Sequence, residues 1–325
     1  MVSNQERYRE ICNSHPEIPV FSQAWWLDTI QNKGEWDVVI IEKNNILLAT
    51  MPYFVFKGFV YTELKMPDYT QTLGPYLFYP PNQSYTKKLR FEKKVMTMLI
   101  DALPRYDYFH QYFHYSITNW LPFYWKGFVQ TSRYTYVLED LTNLDRIFQN
   151  FSLTKRQNIQ KAETLVLIKF DLPSDKFYDL HKKSLALQNK KISYSYNSFK
   201  KKYDEGYKRN RARTLYAIDQ NDNIHSALFI IWDDQSAYTL IGPIDPKFRN
   251  SGSFTLLTKE AIKFASTVTK KFDFEGSMIE GVENSYNQFG GTQKQFFTIK
   301  KYNSFFIRAK YFLKDSIYKW LKESK

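Results

Sequence analysis

The chain has 325 residues, 43% of them hydrophobic and 18% aromatic, with a formal net charge of +13. That is long for one domain, comfortable for two, and too rich in aromatics for a disordered polymer. The single cysteine, Cys12, excludes a disulfide framework and a thiolate metal site. No apolar run has the length of a membrane span. Met1 to Val20 carry charges and proline where a secretory signal needs an apolar stretch, so a cytoplasmic location is expected.

The charge is unevenly spread. Residues 1–150 hold 15 basic and 15 acidic residues, and 151–325 hold the remaining 31 and 18. A basic second half suits an anionic partner, such as a phosphate-bearing cofactor, RNA or a membrane surface; a solvated lysine-rich surface would give the same count.

In chain order, a short helix is expected over Ser22 to Gln31. A hairpin follows: Val38 to Ile41, a turn through Asn44-Asn45, and Ile46 to Ala49. After a loop ending in Gly74-Pro75, Phe91, Val95, Met98, Leu99 and Ala102 make one helical stripe. Strands are expected at Tyr108 to Ser116 and Tyr134 to Leu138, joined through the aromatic stretch Trp120 to Phe128. Leu141 to Arg213 reads as helical, with helices around Leu144 to Phe151, Lys155 to Glu163, Lys176 to Leu187 and Ser198 to Asp204.

The second half then repeats the plan. Leu215 to Ile218, a turn at Asp219 to Asn223, and Ala227 to Trp232 form a hairpin. Tyr238 to Pro243 echoes the first Gly-Pro. Phe254, Leu257, Ala261, Ala265 and Val268 line a helix, and Lys271 to Glu275 a strand. A loop at Tyr286 to Gly290 and a strand at Phe296 to Ile299 close the series. Landmarks recurring in one order at similar spacing indicate duplication. The expected division is 1–140, 141–302, and an amphipathic tail helix at 303–325.

Phe248-Arg249-Asn250-Ser251-Gly252-Ser253 lies before the second Gly-Pro helix. A glycine turn opening a helix offers backbone N–H groups and a dipole to phosphate oxygens, and Arg249 adds a fixed charge. Asn250 or Ser251 would equally serve as an ordinary helix cap. Glu275, at a strand end, can act as a base. His110 and His114 lack a third ligand, so no metal site is read. No Gly-x-Ser-x-Gly elbow or Walker loop is present.

The order strand, Gly-Pro, Arg-x-x-Gly, helix, strand resembles the GNAT acetyltransferase superfamily, whose pyrophosphate loop reads Arg/Gln-x-x-Gly-x-Gly/Ala. Arg249 and Gly252 match, and Phe254 stands at the final small position. The first copy's stretch, Tyr79 to Thr86, has two prolines and no Gly-x-Gly, so its donor site is degenerate. Two tandem copies resemble the Fem peptidyltransferases and FemAB-like acetyltransferases, best over Asp68 to Pro75, Asn119 to Leu138, Leu153 to Ala162 and Phe272 to Thr298. Their Phe-Lys-x-x-Phe-Gly is here Ser285-Tyr286-Asn287-Gln288-Phe289-Gly290, with Tyr286 at the lysine position.

The resemblance implies an α/β (α+β) fold of two tandem GNAT-like domains, each a mixed, mostly antiparallel sheet flanked by helices. It implies transfer of an acetyl or aminoacyl group to an amine of a small molecule, amino sugar or cell-envelope precursor. The co-substrate would be acyl-CoA or aminoacyl-tRNA, with no permanently bound cofactor. Arg249, Asn250, Ser251, Gly252 and Ser253 would bind the donor, Glu275 would be catalytic, and Asp68, Gln71, Arg133 and Arg156 would hold the acceptor. The partners are a phosphate-bearing donor, tRNA, and a membrane surface contacted by the tail helix. The contrasting reading is a non-catalytic RNA- or membrane-surface-binding protein with a degenerate transferase fold. Its binding residues would be Lys200-Lys201-Lys202, Lys208-Arg209, Arg211 and Arg213, interleaved with Tyr203 and Tyr207.

Overall fold

The computed structural model describes residues 3–30 and 34–313. Helices α1 (Asn4–Ser14) and α2 (Ala24–Leu27) precede the hairpin of β1 (Glu35–Lys43) and β2 (Ile46–Lys57). Its turn uses Asn44 and Asn45 at φ 51° and 61°, a left-handed backbone that asparagine tolerates. β3 (Thr62–Lys65) pairs antiparallel with β2. After Gly74-Pro75, β4 (Tyr76–Leu77) folds back onto β2. Helix α3 (Tyr85–Asp101) is capped by the Ser84 hydroxyl and buries Val95, Met96, Leu99 and Ile100. It leads to β5 (Tyr108–Tyr112), which lies parallel to β3. Helix α4 (Leu121–Trp125) and β6 (Val129–Leu138) end the first copy.

Four helices and one short strand follow: α5 (Leu144–Gln149), α6 (Leu153–Glu163), β7 (Leu167–Phe170), α7 (Ser174–Ala186) and α8 (Tyr196–Lys208). β8 (Ala212–Ile218) and β9 (Ile224–Trp232) form the second hairpin, and β10 (Ser236–Ile241) pairs antiparallel with β9. After Gly242-Pro243, Ile244 bridges back to Ser226 of β9, as β4 does to β2. Helix α9 (Ser253–Ala265) then leads to β11 (Lys271–Asp273), parallel to β10. Helix α10 (Glu280–Tyr286) and β12 (Thr292–Tyr302) complete the series. Both copies thus run hairpin, third antiparallel strand, Gly-Pro return, helix, parallel strand, short helix and long strand. β5 and β11 hold equivalent places.

The described residues divide into two compact units: 3–11, 34–132 and 296–313 in the first, and 12–30 and 133–295 in the second. This differs from a sequential cut at 140, because the last strand of each copy changes unit. Residues 133–138 of β6 lie in the second unit, where Leu138 and Val137 pair with Phe272 and Asp273 of β11. Residues 298–302 of β12 pair with β5, Thr298 opposite Tyr112. The first unit's sheet runs β1-β2-β3-β5-β12 and the second's β7-β8-β9-β10-β11-β6. Each has its own core, around Met51, Leu99, Phe109, Phe113 and Phe123 in the first and Phe151, Leu228, Ile230, Leu257 and Phe272 in the second.

Several local expectations need correcting. The helix over Ser22 to Gln31 is a 3-10 turn at Val20–Ser22 followed by the single turn of α2, with Gln31 outside the described residues. Trp120 to Phe128 contains α4, and Tyr286 to Gly290 is the end of α10 plus a 3-10 turn. β5 stops at Tyr112, and the His114 ring nitrogen bonds to the Ser116 hydroxyl at 2.8 Å. β7 and α1 were not signalled by any periodic stripe.

The two Gly-Pro landmarks share a packing cause. A Cβ on Gly74 would lie 2.4 Å from the Phe113 ring, and one on Gly242 would lie 2.6 Å from the Phe254 ring. Gly242→Ala is expected to destabilise the chain by about 1–3 kcal/mol. In Gly242→Ala/Phe254→Ala the two losses should be less than additive by about 1 kcal/mol, because the clash disappears with the ring. Chemical denaturation of the four chains checks this.

Candidate active site at the end of β11

The site forms where β11 stops in the second unit. Glu275 has φ 57°, a left-handed backbone rare for a side chain that gains nothing local from it. Three interactions hold it there. The Asp273 carboxylate accepts the Glu275 N–H at 2.8 Å and the Thr135 hydroxyl of β6. That hydroxyl in turn accepts the Gly276 N–H at 2.9 Å. Gly276 presses so closely on β6 that a Cβ would lie 2.0 Å from the Tyr134 carbonyl oxygen.

The result is an enclosed acidic pair. Glu275 is half-buried as a residue, yet its carboxyl end is shut in, and Oε2 has no hydrogen-bond partner among the described residues. Burial, and then the charge of Asp273, raise the Glu275 carboxyl well above its ordinary value. Asp273 is pushed up to about 6, mainly by burial, with the Asp233 charge adding to it and the bonds from Thr135 and Glu275 opposing it. A perturbed, buried carboxyl with one oxygen left without a partner among the described residues, as in Glu275, marks a candidate functional site.

Aromatic and basic groups surround the pair. The Tyr286 hydroxyl is buried within hydrogen-bonding reach of Thr239 and faces the Glu275 charge, and both burial and that charge raise its pKa. The Tyr286 and Phe289 rings pack on Phe274 at 5.5 and 5.2 Å. On the other face of Phe289, at 4.3 Å, lies the Lys155 ammonium. Lys155 is buried, its Nζ donates to the Ser285 hydroxyl at 2.8 Å, and burial lowers its pKa to about 8. Sequence reasoning passed over Lys155 as one more lysine on a helix. The only signal was its place among the apolar positions of α6. The Tyr136 hydroxyl donates to Glu283 and accepts from Gln293 at 3.0 Å.

The other predicted residues are placed as follows. Arg249 and Asn250 are exposed in a 3-10 turn, Pro246–Ser251, directly before α9. Gly252 is the N-cap of α9 at φ 77°, so neither Asn250 nor Ser251 fills that position; the Ser251 hydroxyl accepts the Ser253 N–H at 3.3 Å. Ser253 is buried and receives a hydrogen bond from Ser226. The space above Gly252 is occupied, since a Cβ there would lie 2.3 Å from the Asn158 carbonyl of α6. This glycine lets a helix backbone approach, and the close approach expected for phosphate is taken by a carbonyl oxygen. Arg156 lines an open cavity of about 450 Å³ between α5, α6 and α9, with Gln149, Gln160 and Lys259. Arg133 lies at the start of the second-unit part of β6, two residues before Thr135. Asp68 and Gln71 belong to the first unit, on the loop before Gly74.

The basic cluster of the binding-protein reading is largely spent on the fold. Lys202 is buried, with its ammonium over Trp26. Lys200 pairs with Asp204, Arg209 with Glu205, Arg211 with Asp234 and Arg213 with Asp171. Tyr203 and Tyr207 stack on each other at 4.2 Å.

The raised Glu275 carboxyl has a stability consequence. Its folded-state pKa exceeds the unfolded value, so its contribution to stability is present below the unfolded value and is lost as pH climbs through the folded one. Glu275→Gln removes that titration. The melting temperature of the variant relative to wild type is therefore expected to rise as pH climbs above the ordinary carboxylate range. A pH-independent difference would show an ordinary solvated carboxylate.

No protein-family model matches this sequence, and no curated protein matches it. Solved structures do. The chain is similar to FemX with a TM-score of 0.65 and 11% identity, over 91% of this chain and 96% of that one. It is similar to L-PGS from Bacillus licheniformis with a TM-score of 0.54 and 9% identity, over 91% and 92%. A tandem GNAT protein from the clavulanic acid biosynthesis pathway gives 0.50 and 9%, over 86% and 87%. At such identities the likeness is one of fold, and it agrees with the repeated topology: the chain has the tandem GNAT, FemAB-like fold.

Proposed function

We propose that the protein transfers an acyl or aminoacyl group to an amine at the β11 corner, with Glu275 as the general base. The observation that carries this reading is the enclosed Glu275 carboxyl, held in a strained backbone with Oε2 unpartnered. An amine that enters as an ammonium beside Glu275 and Asp273 compensates the buried negative charge and favours the carboxylate. The Glu275 carboxylate takes one proton from the ammonium, and the neutral amine so formed attacks the acyl carbon through its lone pair. The carbonyl oxygen gains charge in that step, and the Tyr286 hydroxyl, which faces Glu275, and the Lys155 ammonium are the proposed donors to stabilise it. The new C–N bond forms as the bond to the leaving thiolate or ribose oxygen breaks, and the leaving group takes up the second proton that the nitrogen releases.

The donor is phosphate-bearing, either acyl-CoA or aminoacyl-tRNA. Arg249 and Asn250 are its proposed contacts at the α9 turn. Arg156, expected at the acceptor, is on neighbouring α6 and is proposed here for the donor instead, while Gly252 and Ser253 support the turn from within. The names FemX and lysylphosphatidylglycerol synthetase, the latter attached to a domain of similar fold, favour an envelope-related acceptor, for which Arg133 is a proposed contact; Asp68 and Gln71 lie in the first unit and are not assigned to this corner. Only the second copy is proposed to be active. After β5 the first copy runs Phe113-His114-Tyr115-Ser116 and has no carboxylate at the corresponding place.

A screen of labelled acyl-CoA and aminoacyl-tRNA donors against amino-sugar, peptide and aminolipid acceptors tests the reading. With the productive pair, Glu275→Gln should lower kcat by about 10²–10⁴ and leave donor affinity near normal. Arg249→Ala should raise the apparent donor constant roughly 10-fold or more at near-normal kcat, since phosphate charge is the same in ground and transition states. Turnover by Glu275→Gln at the wild-type rate would overturn the assignment of the base.

A further inference from the structure

The tail helix and one surface turn of the first unit form a second feature that the transfer chemistry does not use. Residues 305–313 are helical, and 314–325 lie outside the described residues. One side of this helix is docked. Ile307 is buried, Tyr311 stacks on Tyr108 at 4.4 Å, and the Tyr311 hydroxyl donates to Glu63 at 3.0 Å. With about 100° between successive residues, Phe305, Phe312, Leu313 and Phe306 fall in one arc opposite that docked side. All four are exposed, Phe306 at 83%. Arg308 and Lys310 sit at the two edges of this arc.

Beside the helix lies the β2–β3 turn, closed by the Gly58 N–H donating to the Tyr61 carbonyl at 2.8 Å. Lys310 joins the two elements, since its ammonium donates to the Tyr61 hydroxyl at 2.9 Å and lies 4.4 Å from that ring's centre. The turn carries Phe59, 103% exposed, and Val60, also exposed, at its tip, next to Lys57. A helix that is apolar on two opposite faces is normally buried on both. Here one face has its protein partner, and the other is exposed among the described residues, on a helix that Lys310 ties to a turn with a second exposed apolar tip.

We propose that Phe59 and Val60, together with Phe305, Phe306, Phe312 and Leu313, dock this protein on the surface of a bilayer containing anionic lipids. Bulky apolar tips edged by cations match the two layers of such a surface. The rings enter the acyl boundary while Lys57, Arg308 and Lys310 meet the phosphates. The net charge of +13 favours the same partner over a neutral one. A face made for a second copy of the chain would bring these cations together, which charge repulsion opposes.

The inference stands apart from the reaction proposed above and is tested without it. The full chain is sedimented with vesicles of phosphatidylcholine alone and of phosphatidylcholine with phosphatidylglycerol. Wild type should bind the anionic vesicles at least about tenfold better. F59D/V60D, two substitutions at a solvent-exposed turn, should lose about tenfold or more of that binding with an unchanged melting temperature. Arg308→Gln should weaken binding to anionic vesicles only. F59D/V60D keeps its activity on a water-soluble acceptor, so a failed donor screen and a failed vesicle assay remain distinguishable. Equal binding by F59D/V60D and wild type would overturn the proposal. So would sedimentation velocity showing a wild-type dimer that F59D/V60D abolishes.

Discussion

The hydrogen bond from the Thr135 hydroxyl to the Asp273 carboxylate is the contact on which the candidate site depends. It ties β6 to the end of β11, fixes Asp273 where it receives the Glu275 N–H, and leaves the same hydroxyl to receive the Gly276 N–H. Without it, two buried carboxyls would sit side by side with only the Glu275 N–H donating to Asp273, a costly arrangement in a low-dielectric interior. With it, the strain at Glu275 is fixed by its surroundings, and one oxygen is left aimed at nothing. A stable fold does not need such a corner.

Because β6 belongs to the first copy in sequence and to the second unit in space, the duplication does more than repeat a domain. Thr135 and Tyr136 come from the first copy, and Asp273, Glu275, Glu283 and Tyr286 from the second. Neither half of the sequence carries the whole cluster. The reciprocal loan of β12 to β5 leaves the first unit equally dependent on the second copy. The first unit's own β5 end is filled with Phe113 packed on Phe123, so the two copies present one acidic and one apolar corner.

Much of this architecture was legible in the chain. The Asn-Asn turn, the Gly-Pro pairs and the 3.6-residue stripes of α3 and α9 are local signals, and each corresponds to the element it pointed to. Glu275 could be singled out because it ends a strand in a fold whose strand ends line the working cleft. What stayed hidden depends on distant partners. Nothing near Gly252 in sequence reveals that the Asn158 carbonyl fills the space above it. Nothing near Lys155 reveals Ser285 and Phe289 across α6. The lysine-rich stretch after 200 looks like an electrostatic surface until its acidic partners, some of them far along the chain, are placed beside it. α10 buries none of its residues, so it left no apolar stripe to read.

The account rests on a Glu275 carboxyl that holds its proton well beyond the ordinary carboxylate range. The most direct measurement is a ¹³C NMR titration of the side-chain carboxyl carbons of the full chain, with Glu275 assigned by comparison with Glu275→Gln. The account predicts that the Glu275 signal keeps its protonated shift after the exposed glutamates have titrated, and moves only at distinctly higher pH. A Glu275 signal that titrates together with the exposed glutamates would contradict it.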